Sequence, residues 1–278
     1  MRIDSHHHLW IYNNAEYGWI DESMNILRRD YLPGDLLSDL SNEGFDGSVV
    51  MQARQTIEET KWLLKLANEN PKIMGVVGWV DLCAPDIDNQ LKELTQNKKL
   101  VGVRHVIHDE ADDRFMLREV FRNGISLLRK YNLTYDLLLF PKHLKFASTL
   151  VAEFPDQPFV IDHICKPLIR EGIQEPWRTD IKQLAQYPNV CCKLSGMVTE
   201  ADTDLWTQQT FEPYLDVIFE AFGPERLMIG SDWPVCLLGG SYSEIIGIVK
   251  NYIEQLDSNT KEKILGGNCF RFYNLKTL

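Results

Sequence analysis

The 278-residue sequence has no long hydrophobic run, no cluster of basic residues and no CxxC cysteine pair. Its longest apolar runs, such as the one at residues 137–140, are far too short to cross a bilayer. Because the net charge is −11 and Lys and Arg are dispersed, we expect no binding to nucleic acid or to an anionic membrane. We also expect no signal peptide, since the first residues lead directly into a polar, histidine-rich strand.

The cysteines also exclude some classes of protein. The chain has 6 of them, scattered and without a CxxC pair. Several lie in apolar runs, as Cys191 and Cys192 do, where a buried thiol is the usual state. The sequence therefore predicts free thiols and a reducing, cytoplasmic location.

What the sequence does contain is a regular alternation of short β-like runs and amphipathic stretches. Several runs are nearly continuous in Val, Ile and Leu, which is typical of parallel strands buried on both faces. Eight alternations favour an α/β fold of the (β/α)8 TIM barrel type over an open, doubly wound sheet, and no glycine-rich phosphate loop follows the first strand. No linker marks a boundary, so we expect a single domain over residues 1–278.

The strands are predicted at residues 2–4, 47–51, 73–80, 100–105, 134–140, 159–162, 190–194 and 227–229. Helices are predicted at 114–131, 142–154 and 211–222, and a further helix begins at a capping box over residues 56–59 and ends at Asn70-Pro71.

Two histidines one residue apart, His6 and His8, stand out near the amino terminus. Alternate side chains on a strand share a face, so these two point the same way and His7 points the opposite way. Neutral imidazole is a good ligand for zinc and similar ions, and the pair predicts a divalent-metal or catalytic site. The alternative is a remnant of an expression tag, but the direct continuation into Leu9-Trp10 without a Gly/Ser linker fits a tag poorly.

Polar or ionisable residues also follow nearly every predicted strand, where (β/α)8 barrels place their active sites. Asp232 follows an apolar run, and we interpret it as a metal ligand and proton acceptor, with a helix N-cap as the alternative. His163 is predicted in the site, with a core histidine bonded to a backbone carbonyl as the alternative. Arg104 and His105 alternate on one strand, so only one can face the site, and Arg104 is preferred.

This pattern resembles the amidohydrolase superfamily, in which the first strand carries HxH, a histidine follows the sixth strand and an aspartate follows the eighth. His163 and Asp232 are the matching residues after those two strands. Further segments are similar to the amidohydrolase-2 type branch, which contains L-fuconolactonase and L-rhamnonolactonase, and the similarity covers essentially the whole chain. The segments are residues 50–54, 101–105, 161–167, 193–196 and 230–234.

The resemblance implies a hydrolase that opens a sugar-acid lactone, such as L-fucono-1,5-lactone or a related aldonolactone, to the free acid. Two departures bear on its metal centre. The fourth strand offers no lysine for carboxylation, which argues against a binuclear site, and the fifth lacks the histidine of mononuclear deaminase-type members. One divalent ion, expected to be zinc, would have His6, His8 and Asp232 as ligands, with His163 as an additional candidate. A metal-independent enzyme is the alternative.

Several residues are candidate contacts for such a substrate. Arg54 could hold substrate oxygens or pair with an acidic neighbour, and Lys193, within an apolar strand, is costly to bury without a partner. Asp162 is interpreted as an outward-facing salt-bridge partner, and Asp81 as a loop cap. Tryptophans could stack on the apolar face of a sugar or fill the core. The predicted substrate-binding residues are Gln52, Arg54, Lys193, Trp10, Trp19 and Trp233.

Lactone opening requires a nucleophilic water, a base and stabilisation of the carbonyl oxyanion. We expect Asp232 to take the proton from water and return it to the leaving ring oxygen, while His163 and Arg104 stabilise the oxyanion. A zinc-like ion would lower the pKa of a bound water from about 16 toward ~7. The competing hypotheses are a metal-dependent decarboxylase of an aromatic or unsaturated acid and a non-catalytic sugar-acid binding protein. A small-molecule lactone is the expected partner, and these motifs specify no oligomeric state.

Overall fold

The computed structural model describes residues 1–276 and forms the predicted parallel barrel. Each strand pairs in parallel with the next strand along the chain, and the sheet order is β1-β2-β3-β4-β5-β6-β7-β8. Seven of the eight strands are buried along their whole length, as the apolar runs predicted. The strands are β1 Ile3–His7, β2 Gly47–Met51, β3 Ile73–Gly78, β4 Leu100–His105, β5 Thr134–Leu137, β6 Phe159–Ile161, β7 Val190–Leu194 and β8 Leu227–Ile229.

Helices surround the strands and largely follow the predicted periodicity. The helix predicted at 114–131 is α-helical only in its central part, because the extended backbone of Arg118 separates it from the preceding 3-10 turn and a further 3-10 turn ends at the left-handed Asn132. The helices are α1 Pro33–Asn42, α2 Ile57–Glu69, α3 Ile87–Leu94, α4 Glu119–Leu128, α5 Leu144–Glu153, α6 Trp177–Leu184, α7 Gln208–Phe222, α8 Tyr242–Tyr252, α9 Ser258–Glu262 and α10 Asn268–Phe272.

The barrel closes between β8 and β1 through the residues that follow β8. The amide of His8 donates to the carbonyl of Trp233 at 2.6 Å, and the amide of Asp232 donates to the carbonyl of His6 at 2.8 Å. These bonds extend β1 past its predicted end at residue 4. As a consequence, the HxH segment and Asp232 are neighbours at the carboxyl end of the barrel, although they lie at opposite ends of the sequence.

A buried carboxylate strengthens this closure from inside the protein. Asp4 accepts a hydrogen bond from the amide of Ser231 at 2.9 Å and another from its hydroxyl at 2.6 Å. The hydroxyl of Tyr242 on α8 also donates to Asp4, at 3.0 Å. Backbone and side-chain donors therefore fix the turn after β8 to the first strand.

Within residues 1–276, no helix is both long enough and apolar enough to cross a membrane. The 6 cysteines are free thiols, as the sequence predicted.

Candidate active site

Three ligand-type atoms converge at the carboxyl end of the barrel. Nε2 of His6 lies 3.2 Å from Nε2 of His8, which in turn lies 3.3 Å from Oδ1 of Asp232. The remaining separation, from Nε2 of His6 to Oδ1 of Asp232, is 3.7 Å. All three side chains are almost completely buried.

These three residues fit a single metal ion, as their donor chemistry shows. The Nδ1–H of His8 donates to the carbonyl of Met51 at 3.1 Å, so the lone pair of Nε2 points toward Asp232. Two ligand atoms about 2.1 Å from a tetrahedral zinc ion are roughly 3.4 Å apart, close to the observed separations. A carboxylate oxygen and imidazole nitrogens this close together form a site that a cation would stabilise.

His163 packs against His6 in the same cluster. The two imidazole rings have centroids 4.4 Å apart, and Nε2 of His163 lies 3.8 Å from Oδ1 of Asp232. The other ring nitrogen, Nδ1, is hydrogen-bonded to the hydroxyl of Ser195 at 2.9 Å. The structure thus places four residues predicted from the sequence within one buried cluster, and it adds Ser195 as a partner that orients His163.

The backbone that carries His163 is a left-handed turn, which sequence periodicity cannot reveal. Four consecutive residues, His163 to Lys166, have φ values of 55°, 46°, 63° and 46°. Each left-handed residue other than glycine costs about 1–2 kcal/mol, and a β-branched residue such as Ile164 is rare there. The turn is held by the indole of Trp177, which donates to the carbonyl of Ile164 at 2.8 Å. Strain of this kind is concentrated at functional sites.

Gly196 leaves the space that the His163 ring occupies, and this gives a testable prediction. A Cβ at Gly196, whose φ is +61°, would lie 2.3 Å from Nδ1 of His163. We expect Gly196→Ala to displace the ring from Ser195 and to lower kcat on the order of 10²-fold, because a shift of about 1 Å in a site has such effects.

The matched control is Gly172→Ala, because Gly172 has a similar φ of +67° but no atom within 4 Å of the position that a Cβ would take. It carries the same backbone strain without the clash. Equal activities of the two variants in steady-state assays would contradict the role given to the His163 position.

Arg104 faces the cluster and His105 points outward, in the arrangement preferred from the sequence. Nη1 of Arg104 lies 3.3 Å from Nε2 of His6 and donates to Oδ2 of Asp162 at 2.9 Å. The ring of His105 instead stacks on Phe115, with centroids 4.9 Å apart.

A buried ionic network adjoins the cluster, and in it Asp162 is a salt-bridge partner, as predicted, but the outward direction expected for it was wrong. Asp162 is fully buried rather than outward-facing, because its Oδ1 lies 3.3 Å from Nδ1 of His6 and 2.9 Å from Nζ of Lys193. Lys193 also donates to Asp136 at 2.6 Å, and Asp136 accepts a second bond from Tyr273 at 2.6 Å. A charged residue inside the apolar run of β5 was the sequence signal for Asp136.

Burial and charge determine the protonation states in this cluster. Burial lowers the pKa of His6 well below its usual value, and Lys193 adds to this effect. Burial likewise lowers the pKa of His163, to about 3. For Asp232, burial acts to raise the pKa, but His163, His8 and His6 together hold it well below its usual range. Neutral imidazoles and an ionised carboxylate are the forms that bind a divalent metal.

His8, His163 and Asp232 form the floor of a cavity of about 230 Å³, and His6 is fully buried against them. The apolar residues of its lining are Trp10, Trp19, Ala53, Val106, Leu138 and Val235, and Trp10 and Trp19 meet edge to face with centroids 6.0 Å apart. The other polar residues of the lining are Arg104, His108, Asp109 and Lys166. Sequence reasoning missed His108, Asp109 and Lys166, although Lys166 lies three residues after His163 in a segment that carries the family resemblance.

Four of the predicted substrate-binding residues are outside this lining, among the residues that the structure describes. Gln52, Lys193 and Trp233 are at most 2% exposed, so in this geometry substrate cannot reach their side chains. Burial of these residues packs the floor: Gln52, for example, accepts Nη2 of Arg104 through its backbone carbonyl. Arg54 pairs with Glu16 and Glu59, which was the alternative left open for it.

The predicted capping box at the start of α2 is only half present. Thr56 accepts the amide of Glu59 at 3.1 Å, but the Glu59 carboxylate does not return to Thr56. It accepts instead the amides of Ala53 at 3.0 Å and Arg54 at 2.8 Å. Glu59 thereby holds the loop after β2, which includes Ala53 of the cavity wall.

Glu59 is expected to make folding stability depend on pH. Burial raises its pKa from 4.5 to about 7, despite the opposing hydrogen bonds from Arg54 and Ala53. Because the folded state keeps the proton to higher pH than the unfolded state, this contribution to stability falls as pH rises from 4.5 to about 7. Relative to Glu59→Gln, the wild type should lose up to about 3 kcal/mol of unfolding free energy across this interval. Urea unfolding at several pH values measures it, with Glu58→Gln on the exposed face as the control, and a constant difference would contradict the prediction.

Known proteins are similar to this chain in sequence and in fold. The model of the family described as "Amidohydrolase" matches residues 3–275. An L-fucono-1,5-lactonase from Burkholderia multivorans is 39% identical over 99% of this chain and 96% of its own length, and one from Burkholderia ambifaria is 34% identical over the same shares. A crystal structure of a Burkholderia multivorans amidohydrolase with bound zinc is 39% identical, covers 99% of this chain and 100% of its own, and superposes with a TM-score of 0.97. The chain belongs to the amidohydrolase family.

Proposed function

We propose that this protein hydrolyses a sugar-acid lactone to the free acid, with L-fucono-1,5-lactone or a related aldonolactone as the substrate. The observation that carries the proposal is the convergence of Asp232, His8 and His163 on the floor of one cavity, with His6 buried against them. The cavity volume of about 230 Å³ is below the usual 300–1,000 Å³ of drug-sized sites and suits a monosaccharide-sized ligand. The two lactonases that match over the full chain support the same activity.

The chain's own residues can perform the reaction. The ionised Asp232 accepts the proton of the attacking water and later returns it to the ring oxygen that leaves. We assign stabilisation of the carbonyl oxyanion to Arg104 and His163, which both contact His6. Trp19, which is exposed, offers an apolar surface for one face of the sugar ring, and the fully buried Trp10 packs edge to face against it.

A divalent metal fits the cluster, and His6, His8 and Asp232 would hold it, with His163 as a further ligand. When bound, an ion of the zinc type supplies Lewis-acid chemistry that lowers the pKa of water. The similar crystal structure with bound zinc supports zinc as the ion. The arrangement of Asp232 and its histidines also supports proton transfer in a metal-independent enzyme. A cytoplasmic location, to which the free cysteines point, belongs to the same proposal.

A screen of aldonolactones with a pH indicator tests this function. We expect acid release well above the spontaneous rate for at least one neutral lactone. Parallel assays after chelation, and after addition of zinc or manganese with the metal content measured, define the role of the ion. A decarboxylase would instead consume protons and release CO2. A binding protein would hold the sugar acid without turnover, and failure with every lactone would overturn the proposal.

A further inference from the structure

Arg104 and Lys166, the arginine and the lysine in the cavity lining, each have a carboxylate partner within the chain. Nη1 of Arg104 donates to Asp162 at 2.9 Å, as described above. Nζ of Lys166 donates to Oε1 of Glu200 at 2.8 Å, and these two side chains are 17% and 18% exposed. Among the described residues of the lining, no arginine or lysine is left without a counter-charge.

His108, also in the cavity lining, is neutral near pH 7. Burial lowers the pKa of His108 to about 4, and the positive charge of Lys166 adds to this effect although Asp109 opposes it. Apart from Asp232 of the metal-binding cluster, the lining contains a second carboxylate, Asp109. Outside that cluster the described lining therefore offers no unpaired positive charge to a second carboxylate on the substrate.

The Lys166–Glu200 pair depends on two local structures that the fold brings together. Lys166 is the last residue of the left-handed turn, and its amide donates to the carbonyl of His163 at 2.8 Å. Glu200 ends the 3-10 turn Val198–Glu200 after β7, where its carbonyl accepts the amide of Arg170 at 2.9 Å. The Glu200 side chain can thus be altered without changing this backbone bond.

We propose that Glu200 is a specificity-determining residue, which neutralises Lys166 so that the site selects lactones without a second carboxylate. This inference rests on the proposed lactone hydrolysis and adds the charge class of the substrate. A second carboxylate, apart from the reacting carbonyl, would lose hydrogen bonds to water on entering this partly buried cavity, and the paired Lys166 would not replace them.

The test compares two lactones that differ at one carbon. L-Galactonolactone carries a terminal hydroxymethyl group, and L-galactarolactone carries a carboxylate in its place. We expect the wild-type kcat/KM to be at least roughly tenfold higher for the neutral lactone. Glu200→Gln should free the Lys166 ammonium and shift this ratio roughly tenfold toward the anionic lactone.

Two further variants separate this effect from a general change in the protein. Lys166→Met in the Glu200→Gln background removes the freed cation and should cancel the shift. Glu220→Gln changes a surface pair of similar length, since Lys182 lies 2.6 Å from Glu220, and should leave the ratio at the wild-type value. A ratio that changes less than twofold in folded Glu200→Gln, or a shift that persists without Lys166, would overturn the inference.

A binding measurement keeps this result distinct from failure of the proposed function. If the wild type hydrolyses no lactone, the lactonase proposal fails, and calorimetric titration with galactarate and galactonate decides the role of Glu200. Galactarate binding that tightens roughly tenfold in Glu200→Gln supports the inference, whereas unchanged binding overturns it.

Discussion

Asp232→Asn is expected to lower kcat for lactone hydrolysis on the order of 10³-fold, because the amide cannot take a proton from water. The Asp232 carboxylate is the only acidic side chain of the described floor that contacts His8, and it lies 3.3 Å from Nε2 of that residue. The same change removes one charged ligand and should weaken zinc binding, which metal analysis after dialysis would measure. Single-turnover and steady-state assays together separate the loss of chemistry from a loss of substrate binding.

Asp81→Asn is the matched control for this prediction. Asp81 follows β3 but caps the next turn, where it accepts the amide of Cys83 at 2.9 Å, and an asparagine can accept the same bond. The lactonase activity of the Asp81→Asn variant should stay close to that of the wild type. Near-wild-type hydrolysis by a folded Asp232→Asn protein would refute Asp232 as the proton acceptor.

Lys193→Met is expected to reduce the free energy of unfolding by about 3–5 kcal/mol, since it leaves the buried Asp136 without a cation and the buried Asp162 with Arg104 alone. Lys193 is fully buried, and its Nζ lies 2.6 Å from Asp136 and 2.9 Å from Asp162. Burial opposes its charge, but Asp136 and Asp162 raise its pKa above the usual value, so the ammonium stays protonated. Chemical denaturation of the metal-free protein measures the loss.

A double variant shows whether the unpaired charge is the cause. Asp136→Asn, added to Lys193→Met, removes the carboxylate that has lost its cation. Asp162 keeps Arg104 as a partner at 2.9 Å. This protein should regain at least half of the lost stability. The prediction is contradicted if the free energy of unfolding of Lys193→Met lies within about 1 kcal/mol of the wild-type value. It is also contradicted if the second substitution restores no stability.

The sequence predicted much of the site because strand ends of a (β/α)8 barrel are adjacent in space. Once β6 and β8 were recognised from their apolar runs and β1 from its HxH segment, His6, His163 and Asp232 had to lie at the same end of the barrel. The predicted outward direction of Asp162 was wrong because the alternation of side-chain direction along β6 stops at the left-handed turn that begins at His163. Asp162 and His163 are therefore both buried, although they are neighbours in the chain.

Pairing partners could not be predicted, because they depend on contacts between residues far apart in the chain. Lys193 was recognised as unusual within β7, but its partners come from β5 and from the residue after β6. The Lys166–Glu200 pair likewise joins two loops, and its effect on the charge of the cavity exists only when both loops are folded.

By itself, the sequence determined the barrel through its short, regularly spaced strands. Together with the HxH motif, these strands also determined which end of the barrel carries the site and most of the residues in the cluster. These follow from local rules, since burial on both faces makes a strand apolar and alternation sets the direction of its side chains. Only the tertiary structure decided which charges are neutralised, which side chains reach the cavity and how His163 is oriented. Those properties depend on distances of a few ångströms between distant segments, and Coulomb and hydrogen-bond energies change steeply over such distances.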